Sequence, residues 1–232
     1  MKKLMLSAFV LLVCLSANAS TIVVSSELGI AANGLIDWTV FGTDHSGFLP
    51  VPSAFNLAVP GLEGLGVDIY RGAVASGGTM RRADNDFTFD GNFGPGEALL
   101  HTWRLDNPSE GPLSLTFDFD HPIEGMGAQV AANWYGGFTA TIEAFNGLGA
   151  SLGSYDLAGN VTPINDDSAL FIGILSDTQD IDRVTFSVFS PNALNGNPPD
   201  EFVINGPRIV PEPATMTLLF AGLVALSLRR NR

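Results

Sequence analysis

Eight residues near the middle of the chain set its fold class. Residues 113–120 read Leu-Ser-Leu-Thr-Phe-Asp-Phe-Asp, so Leu113, Leu115, Phe117 and Phe119 alternate with Ser114, Thr116, Asp118 and Asp120. Successive side chains of a strand point to opposite faces, so this run builds one apolar and one wet face, as in an antiparallel sheet packed on a core from one side. The same period recurs in residues 138–145 and 181–189. Shorter β-branched or apolar runs occupy 21–25, 35–41, 87–90, 99–105, 125–130, 151–157, 169–175 and 201–210. Asn146-Gly147, between two alternating runs, predicts a hairpin. Residues 48–66 and 72–78 are rich in Pro and Gly and read mostly as loop. About ten strands separated by turns, with no βαβ pattern, predict an all-β fold, a β-sandwich of jelly-roll type.

Residues 210–232 are of another kind. Val210 is followed by Pro211, Glu212 and Pro213, then by fifteen uncharged residues from Ala214 to Leu228, then by Arg229, Arg230, Asn231 and Arg232. The prolines hold the first part extended. The apolar run spans only about 22 Å as a helix, against a hydrocarbon core of about 30 Å, and the arginines beside it stay cytoplasmic. It reads as a stop, hold and process signal that meets the membrane transiently through residues 214–228. In this order, the Pro-Glu-Pro core, short hydrophobic helix and basic cluster resemble the PEP-CTERM sorting signal of Gram-negative bacteria. The resemblance implies processing by an exosortase, export to the envelope, cell surface or matrix, and association with exopolysaccharide or biofilm.

The other end carries Lys2 and Lys3, an apolar stretch over 4–15, and Ala17-Asn18-Ala19. That is a signal peptide with a small-x-small site for signal peptidase at Ala17 and Ala19. The domain order is then signal peptide 1–19, β-sandwich 20–209 and sorting signal 210–232. The sandwich region of about 190 residues is long enough for one full core. Within the Leu113 to Ile209 block, the runs Gly125-Met126-Gly127-Ala128-Gln129, Phe171-Ile172-Gly173-Ile174 and Glu201-Phe202-Val203-Ile204-Asn205 resemble the sandwich regions of PEP-CTERM proteins. Similar sandwiches occur in carbohydrate-binding modules.

Composition narrows the function. Between Ala19 and Pro211 there are six arginines, no lysine and 23 acidic residues, a net charge of −17. Such a surface repels nucleic acid and anionic membrane. Cys14, the chain's single cysteine, falls in the leader, so thiol catalysis and zinc-thiolate sites are excluded from the mature body. His45, His101 and His121 show no metal-binding spacing.

Three groups of residues are candidates for chemistry. Counting Asp86 as position 1, oxygen ligands fall at Asp86, Thr88 and Asp90, glycine at Gly91 and the closing carboxylate at Glu97, as a calcium loop requires. Here Thr88 replaces an acid or amide, and the competing reading is a strand followed by a Gly-rich turn. Asp177, Asp180 and Asp182 form a second oxygen cluster, which reads equally as turn chemistry. A structural calcium is the one cofactor these acids suggest. Trp134 and Tyr135, in a Gly-flanked loop, are candidate sugar contacts, with Trp38 and Trp103 as further aromatics of a stacking platform or of the core. Asp118 and Asp120, on one strand face, could serve as a glycosidase pair or as the solvated side of a sheet. The resulting expectation is an exported, non-enzymatic structural or adhesive protein. The alternatives are a carbohydrate-binding module for exopolysaccharide and a glycan hydrolase.

Overall fold

The computed structural model describes residues 20–43, 47–72, 79–103, 113–178, 180–192 and 201–211. Residues 1–19, read as a signal peptide, and residues 212–232 lie outside the described residues, as do Ala17, Ala19, Glu212, Pro213, Arg229, Arg230, Arg232 and His45. Among the described residues no helix is long and apolar enough to cross a membrane.

Strands β1 (Thr21–Val24), β2 (Gly34–Leu35), β3 (Leu49–Val51), β4 (Ala54–Ala58), β5 (Gly66–Arg71), β6 (Thr79–Asp84) and β7 (Ala98–Trp103) precede the longest strand, β8 (Ser114–Ala132). After it come β9 (Gly136–Phe145), β10 (Ser151–Val161), β11 (Leu170–Ser176), β12 (Ile181–Phe189), β13 (Phe202–Ile204) and β14 (Arg208–Pro211). The all-β sandwich is built from one continuous antiparallel network. The amino-terminal half of β8 lies between β12 and β5, in the order β10-β9-β12-β8-β5-β4. Its carboxyl-terminal half lies between β11 on one side and β14 and β13 on the other. β1 extends the sheet beyond β11, β2 beyond β14, and β7, β6 and β3 beyond β13. β9 and β10 pack across onto β11, and one apolar cluster spans both halves, so β8 is the strand shared by the two layers.

Several expectations change for local physical reasons. Residues 113–120 and 125–130 form one strand, because the register irregularities against β12 and β14 beside Ile123 absorb Pro122 without ending the ladder. Residues 48–66 contain β3 and β4 rather than mostly loop; both lie at an end of the sheet order, where Pro50 and flanking prolines are tolerated. Residues 35–41 split into β2 and a 3-10 turn over Trp38–Phe41, since the Asp37 carboxylate accepts from the Thr39 amide at 2.9 Å and draws the chain into a cap. Residues 87–90 form a turn, closed by an Asn85–Phe89 bridge and by the Thr88 hydroxyl, which accepts from the Asp84 amide at 2.8 Å.

The second half of β8 is buried on both faces, which its small residues allow. Met126, Ala128, Val130 and Ala132 face the main core, while the opposite face lies under the segment after β1. Gly127 and Gly173 are cross-strand partners, and a Cβ built on either would lie 2.5 Å from the Ile30 Cδ1. The paired glycines therefore make a shallow window into which Ile30 presses. Gly127→Ala is expected to destabilise the fold by about 1–3 kcal/mol, because Ile30 and Phe171 must both shift. Equilibrium urea unfolding measures this directly, and an unchanged midpoint would refute the close packing.

Candidate functional site

The last described strand, β14, runs into the sorting signal. Ile209 is fully buried and Val210 nearly so, and β14 pairs with β8 through Arg208↔Gly127, Ile209↔Met126, Val210↔Gly125 and Pro211↔Ile123. Pro211 needs no amide donor at the last rung, which suits it to end a strand. It emerges at the wall of a cleft of about 560 Å³ lined also by Leu62, Glu63, His121, Pro122 and Ile123. The first residue of the Pro-Glu-Pro core is thus paired within the sheet, opposite Ile123.

A second cleft, of about 300 Å³, lies beside β14 and is bordered by Asp37, Trp38, Thr39, Glu97, Asn205 and Arg208. Its floor is a polar relay. The Asn205 side-chain amide donates to the Glu97 carboxylate at 2.9 Å and to the Gln129 side-chain oxygen at 2.7 Å, while its own oxygen accepts from the Gln129 backbone at 2.9 Å. Gln129 in turn donates to the Asp167 carboxylate at 2.9 Å. Burial pushes the Glu97 carboxyl above its ordinary value, partly offset by the hydrogen bonds from Asn205 and the Gly94 amide. Arg208 pairs with Glu27 at the rim. The sequence reading made Glu97 a calcium candidate and Trp38 a candidate aromatic, while Gln129, Asn205 and Arg208 carried no chemical role in it. The signal that could have found them is a lone amide at the end of each of two apolar runs, Gln129 and Asn205, since a buried amide requires partners.

The candidate calcium residues do not gather. Asp86 and Asp90 are exposed, and Asp86 adopts a left-handed φ of 75° at the turn. Glu97 is committed to Asn205 and Gly94. Asn92, inside the same stretch, donates to the Thr162 and Ser168 hydroxyls at 2.9 and 3.0 Å, so the segment is pinned to the 162–168 connection by amides. Asp177 accepts from the Ser20 backbone and Asp180 from the Ser176 hydroxyl at 2.8 Å. Asp182 sits apart near Gly147, with its carboxyl pushed up by burial. Among the described residues no three His, Asp or Glu side chains come together as a metal site would require.

Of the aromatic candidates, Trp38 is a core residue, 1% exposed. The Trp103 side chain lies outside the described residues. Trp134 is half-buried and Tyr135 is 52% exposed, next to each other in the turn between β8 and β9. Asp118 and Asp120 lie on the outer face of β8. Asp118 stands between Asp68 of β5 and Arg183 of β12, and Asp120 accepts from the Gly66 amide at 2.9 Å. His101 is buried beside Phe48 and Phe89, their ring centroids 5.6 and 6.5 Å away. Burial, and then the Arg81 charge, push its imidazole down to about 3.

Comparison with known proteins adds one sequence match. Residues 210–232 match the family model described as the PEP-CTERM protein-sorting motif. A comparison with curated proteins gave no match. Among solved structures, the crystal structure of a DUF4465 family protein from Bacteroides caccae is similar over 83% of this chain and 100% of that one, at 16% identity and a TM-score of 0.40. An all-β body whose last strand runs into the matched segment makes this chain a protein with a PEP-CTERM sorting motif, and that motif implies export to the envelope and processing by an exosortase.

Proposed function

We propose that this protein is a structural or adhesive component of the cell envelope or extracellular matrix of a Gram-negative bacterium, working alongside exopolysaccharide and catalysing no reaction. The observation that carries this reading is the direct join of body and signal: β14 ends at Pro211, inside the matched segment 210–232. Whatever the processing enzyme makes of the signal, it presents a folded sandwich held close to its point of attachment. The net charge of −17 on the mature body keeps it soluble in a hydrated matrix. Deleting residues 212–232 is expected to move the protein from the envelope and matrix fraction into the soluble exported fraction. Retention in the matrix without the tail would sink the proposal.

A second reading, a carbohydrate-binding module, is favoured by the exposed Tyr135 beside the half-buried Trp134. An exposed aromatic face stacks on sugar rings, and loss of such an anchor costs binding on the order of tenfold. On a glycan array, Tyr135→Ala is expected to weaken any binding by that factor, and equal signals would remove Tyr135 from the site.

A further inference from the structure

We infer that Asp177 is the docking site for the α-ammonium of the mature chain, so that leader removal turns an amide-to-carboxylate hydrogen bond into an ion pair that fastens β1 to the sheet. The Ser20 nitrogen donates to the Asp177 Oδ1 at 2.9 Å, and the Asp177 amide donates back to the Ser20 carbonyl at 3.1 Å. The two residues form one rung beyond the β1–β11 ladder, whose next pair is Thr21↔Ser176. A third strand fixes the same point: the Thr21 hydroxyl donates to the Leu152 carbonyl at 2.9 Å and lies 3.0 Å from the Tyr155 hydroxyl. The sheet therefore fixes the position of Ser20, and its nitrogen already faces a carboxylate.

The sequence places a small-x-small cleavage site, Ala17-Asn18-Ala19, immediately before that nitrogen. Hydrolysis breaks the Ala19–Ser20 peptide bond. Water gives its hydroxyl to the Ala19 carbonyl carbon and a proton to the Ser20 nitrogen, which takes a second proton from solvent below its own titration range. The atom that donates to Asp177 then changes from an amide to an ammonium, so both partners carry charge and Coulomb attraction is added to the hydrogen bond.

The consequence falls on β1. Among the described residues β1 pairs with β11 alone, and it covers the edge of β11, which an unfastened β1 would leave open to pairing with other chains. It also leads into the segment that carries Ile30 over the Gly127–Gly173 window. The titratable groups on the elements packed here are Asp177 and Asp180 on the turn after β11 and Tyr155 on β10, with Asp182 further along beside Gly147. An ammonium that gains a carboxylate partner titrates higher in the folded state. Its contribution is fully present below the ordinary α-amino value of about 7.7–8.0 and is lost as the pH rises through the folded value.

The inference rests on the export reading, and the test separates the two. The exported protein, recovered from its producing cell, is examined by mass spectrometry, and its α-amine is titrated by NMR. The expected mature chain begins at Ser20, its amine titrates above about 7.7–8.0, and 1 M salt draws the value back toward that range. Asp177→Asn is expected to return the amine to the ordinary value, Asp177→Glu to keep it raised, and Asp180→Asn to leave most of the shift in place. Identical amine titrations in the native and Asp177→Asn proteins, or a salt-insensitive native value, would overturn the docking while leaving export intact. A mature chain that starts elsewhere overturns it as well. An exported protein that still begins at Met1 would refute the leader reading and the docking together.

Discussion

Acidification from pH 7 to pH 4 is expected to cost this fold about 3 kcal/mol through His101 alone. The reason is geometric. His101 is on β7, 1% exposed, against the rings of Phe48 and Phe89, and cross-strand from Arg81. Burial and the neighbouring guanidinium both oppose a second positive charge, and the imidazole is held down at about 3 from its ordinary 6.5. Because the folded value is depressed, His101 stabilises the fold above the unfolded value of 6.5. That stability is lost progressively as the pH falls from there toward 3. Glu97 and Asp182 act in the opposite sense, since burial raises both carboxyls and protonation relieves them. The His101 contribution must therefore be read as a difference. Urea unfolding of the native body and of His101→Gln at pH 7 and pH 4 supplies it, because glutamine does not titrate. The acid loss should be smaller in the variant by about the stated amount, and equal losses would show that His101 is not the source.

A chain ended after Pro211 should fold as the body does, whereas one ended after Gly206 should lose roughly 10–20 °C in Tm or fail to fold cooperatively. The five residues between these points include the whole of β14. Ile209 is fully buried in the main core and Val210 nearly buried in the second cluster. Two such side chains contribute about 1.5–3 kcal/mol each. Without β14, the middle of β8 also loses its ladder partner on one side, and β2 loses the one strand it pairs with among the described residues. That sum is a large share of the 5–15 kcal/mol that separates a folded domain from its unfolded chain. Circular dichroism melts of the two truncations decide the matter, and equal melting points would show that β14 is dispensable. The functional consequence is direct: processing after Pro211 is expected to leave the body folded, whereas a cut that removes Ile209 and Val210 is expected to destabilise it.

Much of the fold was legible because it depends on local period. The alternation through Phe117 and Phe119 survives as the first half of β8, and the Asn146-Gly147 turn joins β9 to β10. What was not legible follows from pairing at a distance. His121-Pro122 looks like a break, and only the irregular register beside Ile123 shows that the strand continues past it. β3 and β4 carry little periodic signal, since their apolar faces are short and Pro-flanked, and partners elsewhere make them strands. Glu97 looked like the closing acid of a calcium loop because ligand spacing was visible, whereas Asn205, its partner 108 positions away, was not.

The amino-acid order alone determined the class of the protein and its destination. A two-residue period encodes a half-buried strand, and the Pro-Glu-Pro, apolar, basic tail is read in sequence by the machinery that sorts it, so neither needs a distant partner to be recognised. Tertiary structure alone decided that Pro211 pairs within the sheet and what the acids do. Pro211 belongs to the sheet because β8 lies alongside it, and Asp177 faces Ser20 because β11 brings together two residues 157 positions apart. Local pattern specifies which face of a strand is buried, but hydrogen-bond partners across a sheet are chosen by register, and register is a property of the assembled fold.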